Sequence, residues 1–252
     1  MKLSLSNGIF SKQALADNVA CVKRLGFDNL EFNMKCVKKE DEECVHTAKK
    51  LIDSHGLNCL TVHAATLHVQ NAAEIAKAIY YGRVSADFAY KLSSPVLVVH
   101  SDVSRRLPET LRSKFLAKIF KELNHYAKSL NVKLALENLS YASTGFGKNV
   151  AELEEILRTV DDGAMGVTLD FCHAEASGQT FSLLEKYGKR LLDVHLSNRA
   201  HKPFDVATPS LSAFIAKLQE CGYRGPLTIE LSSKCTMEQV LQTKMIIQQS
   251  LN

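Results

Sequence analysis

Six short segments of this chain end on side chains that bind metals or move protons. They are His63 in "TVHAA", His100 in "VVHSD", Glu137 in "LALEN", Asp170 in "VTLDF", His195 in "DVHLS" and Glu230 in "LTIEL". One carboxylate at such a place ordinarily caps a helix, and one histidine ordinarily sits hydrogen-bonded in a core. Six gathered at one place would be another matter, because crowded carboxylates repel unless a cation or shared protons neutralise them. Glu137, Asp170 and Glu230 beside the imidazole of His195 make an oxygen-rich set. It suits a divalent cation such as Mn, Co, Fe, Mg or Zn better than a thiolate-seeking metal.

Whether they gather depends on the elements that carry them. Strand-like runs fall at 2–6, 29–32, 58–63, 95–100, 132–137, 166–171, 191–196 and 226–231. Helical patterns lie between them. "SKQALADNVACVKRLGF" is expected to start at a Ser11 N-cap and stop at Gly26. "NVAELEEILRTV" puts Val150, Leu153, Ile156 and Leu157 on one stripe, and "SLSAFIAKLQECGY" opens after Pro209 and closes at Gly222. No linker or low-complexity stretch interrupts this rhythm. Eight strand–helix units in 252 residues predict one α/β domain over 1–252, a (β/α)8 TIM barrel. An open doubly wound sheet is the alternative, but no Gly-x-Gly-x-x-Gly follows the first strand.

Strand side chains alternate between faces, so each run can be sorted. Leu134 and Leu136 oppose Ala135 and Glu137; Val167 and Leu169 oppose Thr168 and Asp170. The same count sets Leu192, Val194 and Leu196 against Asp193 and His195, and Leu60 and Val62 against Cys59, Thr61 and His63. Leu97 and Val99 oppose Val98 and His100; Leu227, Ile229 and Leu231 oppose Thr228 and Glu230. The aliphatic face belongs under the helices. The other face points into the barrel, and its last residue opens on the C-terminal mouth where barrel enzymes keep their sites. All six chemical residues fall there. Glu31 ends the second strand with the same parity and is a candidate substrate contact. Arg199, after the seventh strand, is the best candidate for an anionic substrate group.

The ordered set "LALEN", "GVTLDFCHA", "LLDVHLS" and "GPLTIEL" resembles the xylose isomerase-like TIM-barrel superfamily, over essentially the whole chain and most strongly from 130 to 231. That superfamily holds sugar isomerases and epimerases and the endonuclease IV type of abasic-site nuclease. The resemblance implies one divalent cation on Glu137, Asp170, His195 and Glu230, with His173 at the substrate. Glu137 and Glu230 would move a proton beside a carbonyl, through an enediolate stabilised by the cation. The nucleases add histidines where His63 and His100 stand, and bind two or three zinc ions. Their Asp-x-His after strand seven corresponds here to "NRAH", with His201 matching the histidine and Arg199 replacing the aspartate. The expected function is thus a metal-dependent sugar or sugar-phosphate isomerase/epimerase. A zinc-dependent abasic-site nuclease is the alternative, and a non-catalytic metal- or sugar-binding barrel the third reading.

Composition narrows the classes. A net charge of +4, from 31 basic and 27 acidic residues, is too modest for a nucleic-acid footprint. Nucleic acid is therefore a partner only under the nuclease reading. Seven scattered cysteines without a C-x-x-C pair suit a reducing cytoplasm. No membrane segment is expected, and barrels of this kind often pair as homodimers.

Overall fold

The computed structural model describes residues 1–37, 42–160 and 163–251; the remaining positions of the 1–252 span lie outside the described residues. Eight parallel strands close in chain order: β1 (Lys2–Ser6), β2 (Asn29–Asn33), β3 (Asn58–His63), β4 (Val96–Val99), β5 (Lys133–Glu137), β6 (Gly166–Asp170), β7 (Leu191–Leu196) and β8 (Pro226–Ile229). β8 returns to β1 through Leu3 opposite Leu227 and Leu5 opposite Ile229. Outside them run α1 (Leu15–Arg24), α2 (Glu42–Ser54), α3 (Ile75–Lys91), α4 (Glu109–Ser129), α5 (Val150–Val160), α6 (Phe171–Ser177), α7 (Thr180–Tyr187), α8 (Pro209–Glu220) and α9 (Met237–Leu251). The fold is the (β/α)8 barrel that the strand–helix rhythm predicts.

Local chemistry sets the helix ends. α8 opens with Pro209 in its first turn, and the Thr208 hydroxyl accepts the Leu211 N–H, which satisfies a donor that a helix start leaves over. Gly26 and Gly222 follow α1 and α8 at φ of +71° and +72°, where a side chain would be strained. The Ser11 cap is a correction. Residues Asn7–Phe10 form a 3-10 turn that ends at Ser11, so α1 begins later, after Ala14, without a side-chain cap.

Strict alternation holds on most strands and fails on two. β6 pairs Val167 with Leu191 and then Thr168 with Asp193. Leu192 is thereby skipped, a bulge that places two residues against one. Leu191, Val194 and Leu196 join the large core beneath the helices, whereas Leu192 packs with Val96, Val98 and Ala135 in a small separate cluster. On β3 the register slips between Cys59 and Thr61. Cys59 therefore joins the helix-side core with Val62, and Leu60 is only half-buried. The expected faces of Leu192, Leu60 and Cys59 are corrected accordingly. Both slips lie N-terminal to the residues of interest, so Asp193, His195, Thr61 and His63 keep their inward direction.

The barrel's interior layers hold both apolar and polar side chains. Val96, Val98, Ala135 and Leu192 form a small apolar cluster. Ser4, Glu31, Thr61, Thr168, Asp193 and Thr228 are wholly buried. Branched apolar residues usually fill such layers, so a buried polar layer needs internal partners to offset its desolvation. The interior is tight at Gly166, where an added β-carbon would stand 2.4 Å from both Cγ and Cδ1 of Leu192. Gly166→Val should destabilise the protein by about 1–3 kcal/mol, read as a lower urea midpoint with an unchanged slope.

Candidate metal centre

The barrel brings Glu137, Asp170, His195 and Glu230 together. One ligand atom from each lies within 4.8 Å of the other three. Glu137 Oε1, Asp170 Oδ2 and His195 Nδ1 are buried and lack hydrogen-bond partners among the described residues. His195 Nδ1 stands 3.4 Å from both Glu137 Oε1 and Glu230 Oε2. Buried polar atoms without partners are costly, and three aimed at one point fit the place of a cation. The residues present therefore fit a divalent metal, on oxygen and imidazole donors alone.

Each donor is fixed from behind. Nε2 of His195 lies 2.9 Å from Glu31 Oε2 and 3.2 Å from Asp193 Oδ2. The Thr228 hydroxyl donates to Asp193 Oδ1 at 2.9 Å, and the Thr61 hydroxyl donates to Glu31 Oε2 at 3.2 Å. With its Nε2 proton held by carboxylates, the ring presents Nδ1 to the centre, the outer-shell arrangement that orients metal-binding histidines. Asn138 clamps the ends of β5 and β6: its Oδ1 accepts the Asp170 N–H at 2.8 Å and its Nδ2 donates to the Asp170 carbonyl at 3.0 Å. Asp170 Oδ1 accepts the His173 N–H at the start of α6, which leaves Oδ2 for the centre.

Two further groups adjoin this one. Nε2 of His63 and of His100 lie 3.2 and 3.0 Å from Glu137 Oε2, so Glu137 bridges two sets of donors. His173 and His201 face each other with their Nε2 atoms 3.0 Å apart. Nδ1 of His173 contacts the Asn138 carbonyl and Nδ1 of His201 the Glu230 carbonyl. The two rings meet edge to face, with centroids 5.0 Å apart. Asp170 completes this second triad.

The electrostatics follow from crowding. Burial would lower the His195 pKa, but the carboxylates of Glu31, Glu137 and Glu230 outweigh it and hold the ring well above the ordinary imidazole value. Burial is likewise overcome at His100, which Glu137 lifts to about 9. Burial would raise Glu137, yet His100 and His195 keep it well below the usual carboxylate range. Asp170 is pushed up by burial, with His173 opposing. Protons on the imidazoles thus neutralise the carboxylates until a cation takes that role.

The remaining candidates are placed as follows. Glu31 is wholly buried behind His195. Arg199 lines a cleft of about 520 Å³ with Cys172, Glu175, Ser197 and Ser210. The mouth cleft above the centre, about 240 Å³, is lined by Asn33, Lys35, His63, Ala65, His100 and Glu230, so the two clefts share no lining residue. Residue-type reasoning overlooked Asp193 and Thr228 as supports, although their inward parity was visible. It also overlooked Asn33 and Lys35, which no motif marks.

Comparison with known proteins agrees with this architecture. The family described as xylose isomerase-like TIM barrel matches residues 19–251. The chain belongs to that family. Among its relatives is an uncharacterized protein of Methanocaldococcus jannaschii, 24% identical over 245 residues, 91% of this chain and 83% of that protein. A 47-residue stretch, 18% of this chain, is 49% identical to 17% of a probable endonuclease 4 from Halothermothrix orenii. The structure of an L-ribulose 3-epimerase superposes with a TM-score of 0.85 at 15% identity, covering 99% of this chain and 94% of that one. At that identity the likeness establishes the shared fold alone.

Two outcomes test the centre. Glu31→Gln should lower divalent-cation affinity by about 10–100-fold, measured by competition with a chromogenic chelator. Because the folded-state pKa of His195 is raised, its ring is protonated at neutral pH and the cation must displace that proton. Affinity should therefore rise with pH by up to about tenfold per unit. Calorimetry in buffers of different ionisation enthalpy should show proton release on metal uptake.

Proposed function

We propose that this chain is a divalent-metal-dependent isomerase or epimerase acting on a small sugar or sugar phosphate. The observation that carries the reading is the four-donor set, in which Glu137 and Glu230 come from strand ends three strands apart and both approach His195 Nδ1. A divalent cation held by Glu137, Asp170, His195 and Glu230 would acidify the C–H beside a substrate carbonyl. Glu230 borders the mouth cleft and takes that proton. Glu137 is wholly buried and reaches the cleft through His63 and His100, both on its Oε2. It supplies or accepts the proton on the other side, so the proton returns to the opposite face or to the neighbouring carbon.

The mouth cleft of about 240 Å³ is smaller than the roughly 300–1,000 Å³ of drug-sized sites, which suits a small substrate. The superposition on a sugar epimerase supports the same class. A homodimer in the cytoplasm belongs to this reading; the cysteines form no disulfide among the described residues. No described helix is long and apolar enough to cross a membrane.

A second reading, a zinc phosphodiesterase acting on abasic nucleic acid, is favoured by one observation. His63, His100 and Glu137 form a further ligand group that shares Glu137 with the first, and the short match to an endonuclease 4 is consistent with it. Metal stoichiometry separates the two. One Mn²⁺-like ion per chain with turnover of a ketose panel supports the isomerase; two or three zinc ions with cleavage of an abasic duplex support the nuclease. Under the isomerase reading, Glu137→Gln and Glu230→Gln should each lower kcat by about 10²–10⁴-fold in a coupled ketose assay. Near-normal kcat in both variants would sink the proton-transfer scheme.

A further inference from the structure

The strand-β2 side of the mouth carries a feature that the metal centre does not use. Lys35 follows β2 and lines the mouth cleft together with Asn33, His63, His100 and Glu230. Its ammonium group makes no ion pair with a described carboxylate. Asn33 is nearly buried; its Oδ1 accepts the Lys35 backbone N–H at 3.1 Å, and its own N–H donates to Asn7 Oδ1 at 2.8 Å. With Oδ1 thus occupied, Nδ2 is the group left for other partners.

Gly8 brings the two donors together. The position a β-carbon would take on Gly8 lies 2.6 Å from Lys35 Cε, 2.7 Å from Lys35 Nζ and 3.1 Å from Asn33 Nδ2. Gly8 does not have a positive φ, so its backbone would accept a side chain; the close approach of Lys35 is what excludes one. An ammonium and an amide N–H₂, both donors, therefore lie close together against Gly8. A donor-only pair of this kind recognises oxyanions.

Four other cations near the strand ends do not line this cleft. Arg105 pairs with Glu152, and Lys148 Nζ donates to the Tyr141 carbonyl at 2.6 Å. Arg106 and Arg199 line clefts of their own. The mouth cleft is lined both by the Glu230 carboxylate and by Lys35. A neutral sugar needs no such cation; a sugar with an anionic tail needs one to offset repulsion from Glu230.

We infer that Lys35 and Asn33, packed against Gly8, form an anion subsite that holds a terminal oxyanion of the substrate, a phosphate ester or a carboxylate, while the carbonyl end lies at the metal centre. This rests on the isomerase reading, and its test is arranged to fail separately. Inorganic phosphate is titrated into chelator-treated protein and followed by the Gly8 amide NMR signal, which needs no turnover. The wild-type signal should shift, and Lys35→Met should weaken phosphate binding by about tenfold or more. Gly8→Ala, which places a methyl group against both donors, should weaken it likewise. An unresponsive Gly8 signal, or equal affinity in Lys35→Met, overturns the subsite.

In the metal-loaded protein, kcat/KM is compared for a ketose, its terminal phosphate and the corresponding sugar acid. Preference for one anionic form over the neutral sugar should fall about tenfold in Lys35→Met. A preference that Lys35→Met leaves intact, or none in the wild type, overturns the assignment. Phosphate binding through Lys35 without turnover of any sugar upholds the anion subsite and removes the isomerase reading instead.

Discussion

The structure depends on one imidazole caught between carboxylates. His195 is wholly buried, with Glu31 and Asp193 on one nitrogen and Glu137 and Glu230 near the other. Four acids around one ring cannot coexist in low dielectric as bare charges. Protons on His195, His63 and His100 answer that repulsion in one state of the molecule, and a cation answers it in the other. Threonines 61 and 228 complete the polar layer by donating to the acids from neighbouring strands. The inner residues of five strands are thereby committed to holding a single ring in one orientation.

Much of this was legible in the sequence because a closed barrel turns strand parity into geometry. His63, His100, Glu137, Asp170, His195 and Glu230 were all placed inward by counting alone, and the strand limits came within a residue or two. Counting failed where the pairing register slips. Leu60 and Leu192 sit at bulges, and a bulge is a property of two strands together, invisible in either one. It also failed for roles set by hydrogen bonds across strands. Asn138 reads as pointing away from the mouth, yet its amide joins β5 to β6 and aims Asp170. Glu31 reads as a substrate contact by parity, whereas its burial behind His195 makes it a support for the ring. Lys35 carries no sequence signal at all, because its setting depends on Gly8, which is distant along the chain.

The two glutamates, alike by residue type, are made unequal by position. Glu230 follows β8 and borders the cleft, whereas Glu137 lies under two histidines and is wholly buried. A symmetrical exchange of one proton between two equivalent carboxylates is therefore not what this barrel offers. One side of the centre is an acid that borders the cleft and the other is an acid behind imidazoles. His63 and His100, at the ends of strands three and four, thus stand between Glu137 and the cleft.

The bulge at Leu192 has a consequence for how such a barrel can vary in length. Between Leu191 and Asp193 the strand carries one residue more than its neighbour needs. Loss of that residue would leave Leu191 under the helices and Asp193 and His195 still turned inward. Loss of Val194, with the bulge kept, would rotate His195 into the helix layer. β7 therefore has a slack link below its chemistry and none within it. A change of length in β7 can be absorbed at this bulge, before the strand reaches its inward acid and imidazole.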